Sequence, residues 1–246
     1  MRKAVIGAGM GAWLALAGGA AAQAQTEEPR LVVIELFTSQ GCSSCPPADA
    51  LLRELATDPH ILALSLHVDY WDYLGWVDEL AKPAFSSRQK AYAYAAQSRA
   101  VYTPQMIVSG AAAMNGADRE TLVAQLEHLA SAPGQVSLQV QQLGAGWQID
   151  MVADPPLESG TVVQIVHYLP EVQVMIARGE NAGRAATYAN VATEWMTVAE
   201  WDGRAPLRIE TATAAPARSA VIVQQLQTGG RYAALPGEIL AAARLD

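Results

Sequence analysis

Leu31-Val32-Val33-Ile34-Glu35-Leu36-Phe37, followed within a few residues by Gly41-Cys42-Ser43-Ser44-Cys45-Pro46-Pro47, decides how the rest of the chain is read. The first run is apolar except for Glu35 and reads as a buried strand. The second holds the only two cysteines among 246 residues, set at the spacing of a redox pair. Two thiols this close can cycle between dithiol and disulfide, whereas a structural staple gains more by closing a longer loop. A strand, a short loop and a C-x-x-C leading into a helix therefore point to thiol chemistry.

Working outward, Arg2 and Lys3 precede an uncharged run from Ala4 to Ala22, and Ala22-Gln23-Ala24 has the small-x-small pattern of a signal-peptidase site. Residues 1–24 are expected to be a signal peptide, cleaved near Ala24, which makes the mature chain periplasmic or secreted. Its glycines dilute the run too far for a lasting membrane anchor. About 220 residues remain (246 less 24), enough for one large or two small domains. A formal net charge of −8 without a basic cluster argues against nucleic acid or anionic lipid as a partner.

Strand-like and helix-like runs alternate up to Ala132-Pro133-Gly134. Ala48 to Leu55 reads as a helix, Ile61 to Asp69 as a strand, Pro83 to about Ser98 as a helix and Gln105 to Ser109 as a strand. Asn115-Gly116 reads as a turn, and Asp118 caps a helix to about Ala130. This βαβαββα order implies a partly parallel sheet covered by helices. Beyond Gly134 the texture changes to short alternating runs. These are Val136–Gln142, Trp147–Val152, Val162–Tyr168, Val172–Ala177, Ala192–Ala199, Leu207–Glu210 and Ala220–Gln227, and a short helix is expected at Ile239–Arg244. Such runs suggest a small antiparallel sandwich.

Four blocks carry a family resemblance: Glu35 to Asp49, His67 to Trp76, Tyr102-Thr103-Pro104-Gln105, and Gly179-Glu180-Asn181-Ala182-Gly183-Arg184. Together they resemble the signature of an exported family known as domain of unknown function 1223, and they span nearly the whole mature chain. The family is similar to thioredoxins in its amino-terminal half and brings no assigned substrate. The expected fold is thus an α/β thioredoxin-like domain over residues 25–132, followed by a small antiparallel β-sandwich-like domain over 135–246.

Within that frame Cys42, at the loop-to-helix junction, is the expected nucleophile. The helix dipole and unpaired N–H groups would favour its thiolate there. Cys45, on the inner side of the first turn, is the expected resolving thiol. The resemblance implies a cis bond at Thr103-Pro104, beside the pair and able to dock an extended substrate. Tyr70 and Trp71 would form an aromatic rim. The acid that thioredoxins place six residues before the nucleophile is replaced by Leu36, and Glu35 points to the other strand face. Proton relay therefore falls to Glu35, Asp69 or Asp72. Pro46 and Pro47 withhold two N–H donors, so the helix starts at Pro46 or has an irregular first turn.

The expected activity is thiol–disulfide exchange on protein or small-molecule thiols and disulfides, with no cofactor and no resident metal. A copper(I) chaperone using Cys42, Cys45 and either His67 or His167 is the alternative with a metal. A binding module with a merely structural disulfide is the third reading. Gly179 to Arg184 reads first as a tight loop between strands, with an anion or domain-interface contact for Arg184 as the other option. Substrate, direction of electron flow and oligomeric state are not encoded legibly.

Overall fold

A computed structural model describes residues 31–130, 134–212, 218–229 and 232–245. The expected signal peptide, residues 1–24, lies outside them. The first half runs β1 (Val32–Thr38), α1 (Pro46–Leu55), β2 (Ile61–His67), a single 3-10 turn (Asp72–Leu74), α2 (Pro83–Ala95), β3 (Gln105–Val108), β4 (Ala112–Asn115) and α3 (Arg119–Ala130). The second half is strand throughout: β5 (Val136–Leu143), β6 (Gly146–Ala153), β7 (Thr161–Met175), β8 (Ala185–Trp201), β9 (Leu207–Ala212), β10 (Arg218–Gly229) and β11 (Tyr232–Arg244).

The result is a mixed α/β fold with one large mixed sheet and one small antiparallel sheet. Eight strands lie in the order β11-β10-β7-β8-β2-β1-β3-β4, and β5-β6-β9 form the second sheet. β1 is parallel to β2 and antiparallel to β3. Four strands of the second half therefore extend the sheet of the first instead of closing a sandwich of their own. The seam is short: Ser65 pairs with Val191 in parallel, and Asn190 donates from Nδ2 to Ala63 O at 2.8 Å. Asn190 has a φ of 46°, a left-handed conformation that asparagine tolerates better than most residues.

Alternation along β1 explains where the helices go. Ile34 and Leu36 face Ala48, Leu51 and Leu52 of α1 and Leu122 of α3. Val33 and Phe37 face the other way, toward Phe85 and Tyr92 of α2. That second cluster continues into Val166, Ala220, Ile222 and Ile239, so one core serves both halves. On the opposite face of β7 and β10, Val163, Ile165, Val221 and Val223 pack on Ile149 and Met151 of the small sheet. Two sheets do pack face to face there, one of them shared with the first half.

Three expectations need correction. Val162–Tyr168 and Val172–Ala177 are one strand, β7; its ladder passes over Pro170, which has no N–H, and resumes at Glu171↔Ala189. Ile239–Arg244 is part of strand β11, not a helix. Its residues pair with β10, as in Val223↔Ala241 and Ala220↔Arg244, and this pairing overrides the alanine-rich local preference. Pro236 is accommodated because β11 is the sheet edge. Finally, the strand expected over Ile61–Asp69 ends at His67, and the chain turns so that Lys82 N–H donates to His67 O.

Candidate functional site

The cysteine loop sits where β1 leaves the sheet. Cys42 and Cys45 are joined by a disulfide and are 2% and 0% exposed. Helix α1 begins at Pro46 with Cys45 as its N-cap residue. Cys45 N–H donates to Cys42 O, and the N–H groups of Ala48 and Asp49 both reach Cys45 O. With prolines at the first two helical positions, the free N–H donors expected to favour a Cys42 thiolate are missing. The nearest donor to the Cys42 sulfur is the Ser44 hydroxyl at 3.4 Å.

Three outside groups fix this loop. Gln40 N–H donates to Asp78 Oδ2 at 2.8 Å. Asn181, from the loop between β7 and β8, donates its amide to Gln40 O at 2.9 Å and Cys42 O at 2.8 Å. Trp71 lies so close to Gly41 that a Cβ there would meet the Trp71 Cβ at 3.1 Å. Asn181 is only 3% exposed, so the second half of the chain reaches directly into the cysteine loop.

The expected substrate-docking residues converge on the same place. Thr103-Pro104 is a cis peptide bond. Trp71 Nε1 donates to Thr103 Oγ1 at 2.7 Å, and Ser44 Oγ reaches Thr103 O at 3.5 Å. Tyr70 stands beside Trp71, their ring centroids 5.9 Å apart, and donates to Gln89 Oε1 at 3.0 Å. Burial pushes the Tyr70 phenol up to about 12. The cysteine loop thus meets Trp71 at Gly41 and Thr103 at Ser44.

The three expected relay acids do not join it. Glu35 faces α2, where Arg88 Nε and Nη2 donate to its two oxygens at 2.6 and 3.0 Å and Tyr92 Oη donates at 2.6 Å. Both oxygens are taken, and the pair is buried and capped by Trp195, whose ring lies 3.8 Å from the Arg88 guanidinium carbon. Asp69 accepts from Ser86 Oγ at 2.5 Å. Asp72 caps the backbone N–H of Asp78 at 3.1 Å, and partial burial raises its carboxyl.

The acid next to the cysteines is Asp49. It lies one helical turn beyond Cys45 and accepts from Thr38 Oγ1 at 2.8 Å. Burial pushes its carboxyl up to about 6, against the lowering effects of Thr38 and His67. Behind it His67 Nδ1 is 2.7 Å from Asp78 Oδ2, both side chains fully buried, and the His67 ring meets Tyr188 edge-on at 4.5 Å. The i, i+4 spacing of Cys45 and Asp49, which puts both on one helix face, was the sequence signal for this residue. Asn181 and Asp78 carried no such signal, since their contacts to Gln40 cross 141 and 38 residues.

His67 Nδ1 is bound to Asp78, His167 Nδ1 lies 2.7 Å from Ser219 Oγ, and among the described residues no three of His, Cys, Asp or Glu gather in a metal-holding group. No helix among them is long and apolar enough to cross a membrane.

A mixed α/β protein with a disulfide-bonded C-x-x-C at the mouth of its first strand is the class these features define. The chain belongs to the family described as Protein of unknown function (DUF1223), whose model matches residues 33–225. The X-ray crystal structure of a protein from Agrobacterium tumefaciens, a structural genomics target, resembles it with a TM-score of 0.76 at 30% identity, over 89% of this chain and 95% of that one. HBP35 of Porphyromonas gingivalis is similar in fold, with a TM-score of 0.57 at 13% identity over 88% of this chain and 74% of that one. No curated protein matches the chain.

Proposed function

We propose that this protein is an exported thiol–disulfide oxidoreductase whose first half is a thioredoxin-like unit. The observation that carries the reading is the buried Cys42–Cys45 disulfide in a loop that meets the cis Thr103-Pro104 bond through Ser44 and Trp71 through Gly41, with an acid of raised pKa one turn away. In the reducing direction the Cys42 thiolate attacks one sulfur of a substrate disulfide. This forms a mixed disulfide and releases the first substrate thiolate. Asp49, ionised, accepts the proton of Cys45. The Cys45 thiolate then attacks Cys42 Sγ, closes the Cys42–Cys45 disulfide and expels the second substrate thiolate, so two electrons pass from the dithiol to the substrate. The oxidising direction is the reverse, and the reduction potential of the pair sets which one prevails.

Export rests on the amino-terminal pattern of Arg2-Lys3, an apolar run and Ala22-Gln23-Ala24. Substrates on this reading are protein or small-molecule thiols and disulfides. The test is exchange with a model disulfide by the purified mature protein. Cys42→Ser should abolish turnover, and Cys45→Ser should accumulate the mixed disulfide. Wild-type rates in Cys42→Ser would refute the assignment, and an inactive wild type would leave the structural-disulfide reading in its place.

A further inference from the structure

Between the outer side of α1 and the start of β8 lies a cavity of about 160 Å³, lined by Asp49, Arg53, Asn181, Arg184, Thr187 and Tyr188 among others. Of its lining, thiol exchange as derived above uses only Asp49. Its chemistry is uneven. Arg53 and Arg184 are exposed, and among the described residues neither makes an ion pair. Two unpaired guanidiniums on one cavity present fork-shaped donors to an anion.

The inner wall supplies a second, independent feature. Tyr188 is 3% exposed and lines the cavity, and its hydroxyl is not among the buried polar atoms sealed from solvent without a partner, so it opens on the cavity. A hydroxyl that opens on a cavity can donate to whatever occupies it. Burial raises the Tyr188 phenol, so it stays a neutral donor. Its ring is held edge-on against His67.

Size and charge narrow the occupant. A cavity of roughly 150 Å³ holds a benzene-sized molecule, so a ligand of about six to eight non-hydrogen atoms fits. Phosphate is disfavoured, because α1 opens on Pro46-Pro47 and offers no N–H cradle at its start, and because the Asp49 carboxyl on the wall opposes a dianion more than a single charge. We propose that this cavity is a binding site for a small carboxylate, held at its anionic end by Arg53 and Arg184 and at an oxygen of its other end by the Tyr188 hydroxyl.

The test is calorimetric titration of the full mature chain at pH 7 and low salt with pyruvate, lactate and inorganic phosphate as probes. Saturable binding of at least one carboxylate is expected, with phosphate weaker. An Arg53→Ala/Arg184→Ala double variant should bind at least about tenfold more weakly, the loss of charge-assisted hydrogen bonds. Tyr188→Phe should weaken binding several-fold while leaving its salt dependence in place. Both arginines are exposed, so the double variant keeps its fold, which a thermal melt verifies. Cys42→Ser should bind as the wild type does, which separates this site from the fate of the thiol reading. Absence of saturable carboxylate binding at millimolar concentration, phosphate binding as tight as carboxylate, or unchanged affinity in the double variant would overturn the proposal.

Discussion

Replacing Asp49 by Asn makes a measurable statement about the cysteine environment. The Asp49 carboxyl is raised from 3.8 to about 6, chiefly by burial. A carboxyl whose folded-state pKa is raised binds its proton more tightly in the native state, so stability falls as pH rises from about 4 to about 6 and then levels off. About two units at 1.36 kcal/mol each set a ceiling of roughly 3 kcal/mol withheld from the fold at neutral pH, reduced because Asp49 is only part-buried and lines a cavity. Asn carries no charge to desolvate and its amide oxygen can still accept from Thr38 Oγ1. Asp49→Asn should therefore stabilise the oxidised protein by about 1–3 kcal/mol at pH 7.5 and change it little at pH 4. Urea unfolding at the two pH values reads this directly, with the disulfide kept intact. The exchange rate gives a second readout, since a base at Cys45 would be lost and the limb of the pH–rate profile near 6 should vanish. Equal destabilisation by Asp49→Asn at both pH values would refute the reasoning, because it would mean that the carboxylate is needed for its hydrogen bonds and not tolerated at a cost.

Other substitutions probe the rest of the site. Arg88→Ala should cost about 3–5 kcal/mol in a denaturation experiment, because Glu35 is left charged and buried. The Glu35→Gln/Arg88→Met pair should recover most of that, and a cost below about 1 kcal/mol in Arg88→Ala would remove the burial argument. Asn181→Ala deprives two buried carbonyls of their donor and should destabilise by about 1–3 kcal/mol. It should also speed reduction of Cys42–Cys45 by a small thiol, followed as free-thiol release. A chain ending at residue 130 should show no cooperative unfolding transition by circular dichroism, because β2 loses its neighbour β8 and the core of α2 loses Val166, Ile222 and Ile239.

What was legible in the sequence follows the range of the interactions involved. The strand–loop–helix around Cys42 and Cys45 and the βαβαββα order are local patterns, and each is present within about three residues of its expected place, whereas the cis bond at Thr103-Pro104 was implied by the family resemblance. Asp118 does cap α3, accepting the Thr121 N–H at 3.1 Å. Local pattern failed where partners are distant in sequence. The run Ile239–Arg244 has helical composition but spends its backbone groups on β10. Glu35 looked available because its partner Arg88 lies 53 residues away. In the same way a second half made of alternating strands reads as a sandwich of its own, since nothing in alternation says which sheet a strand will join.

That last point bears on how the two halves share the chemistry. If the second half were a separate recognition module, its removal would leave the cysteine loop intact. Instead Asn181 holds two carbonyls of that loop, Gln224 of β10 accepts from the Arg88 that neutralises Glu35, and Ile239 N–H donates to Ser109 O at 2.8 Å beyond β3. Each contact ties a residue of the first sheet segment to a strand or loop more than 100 residues later. The cysteine loop is thus positioned in part by the second half, and the Gly179–Arg184 loop is part of its environment. A tight loop between strands is what places Asn181 there. Gly183 and Gly179, at φ of 80° and 78°, make that turn possible.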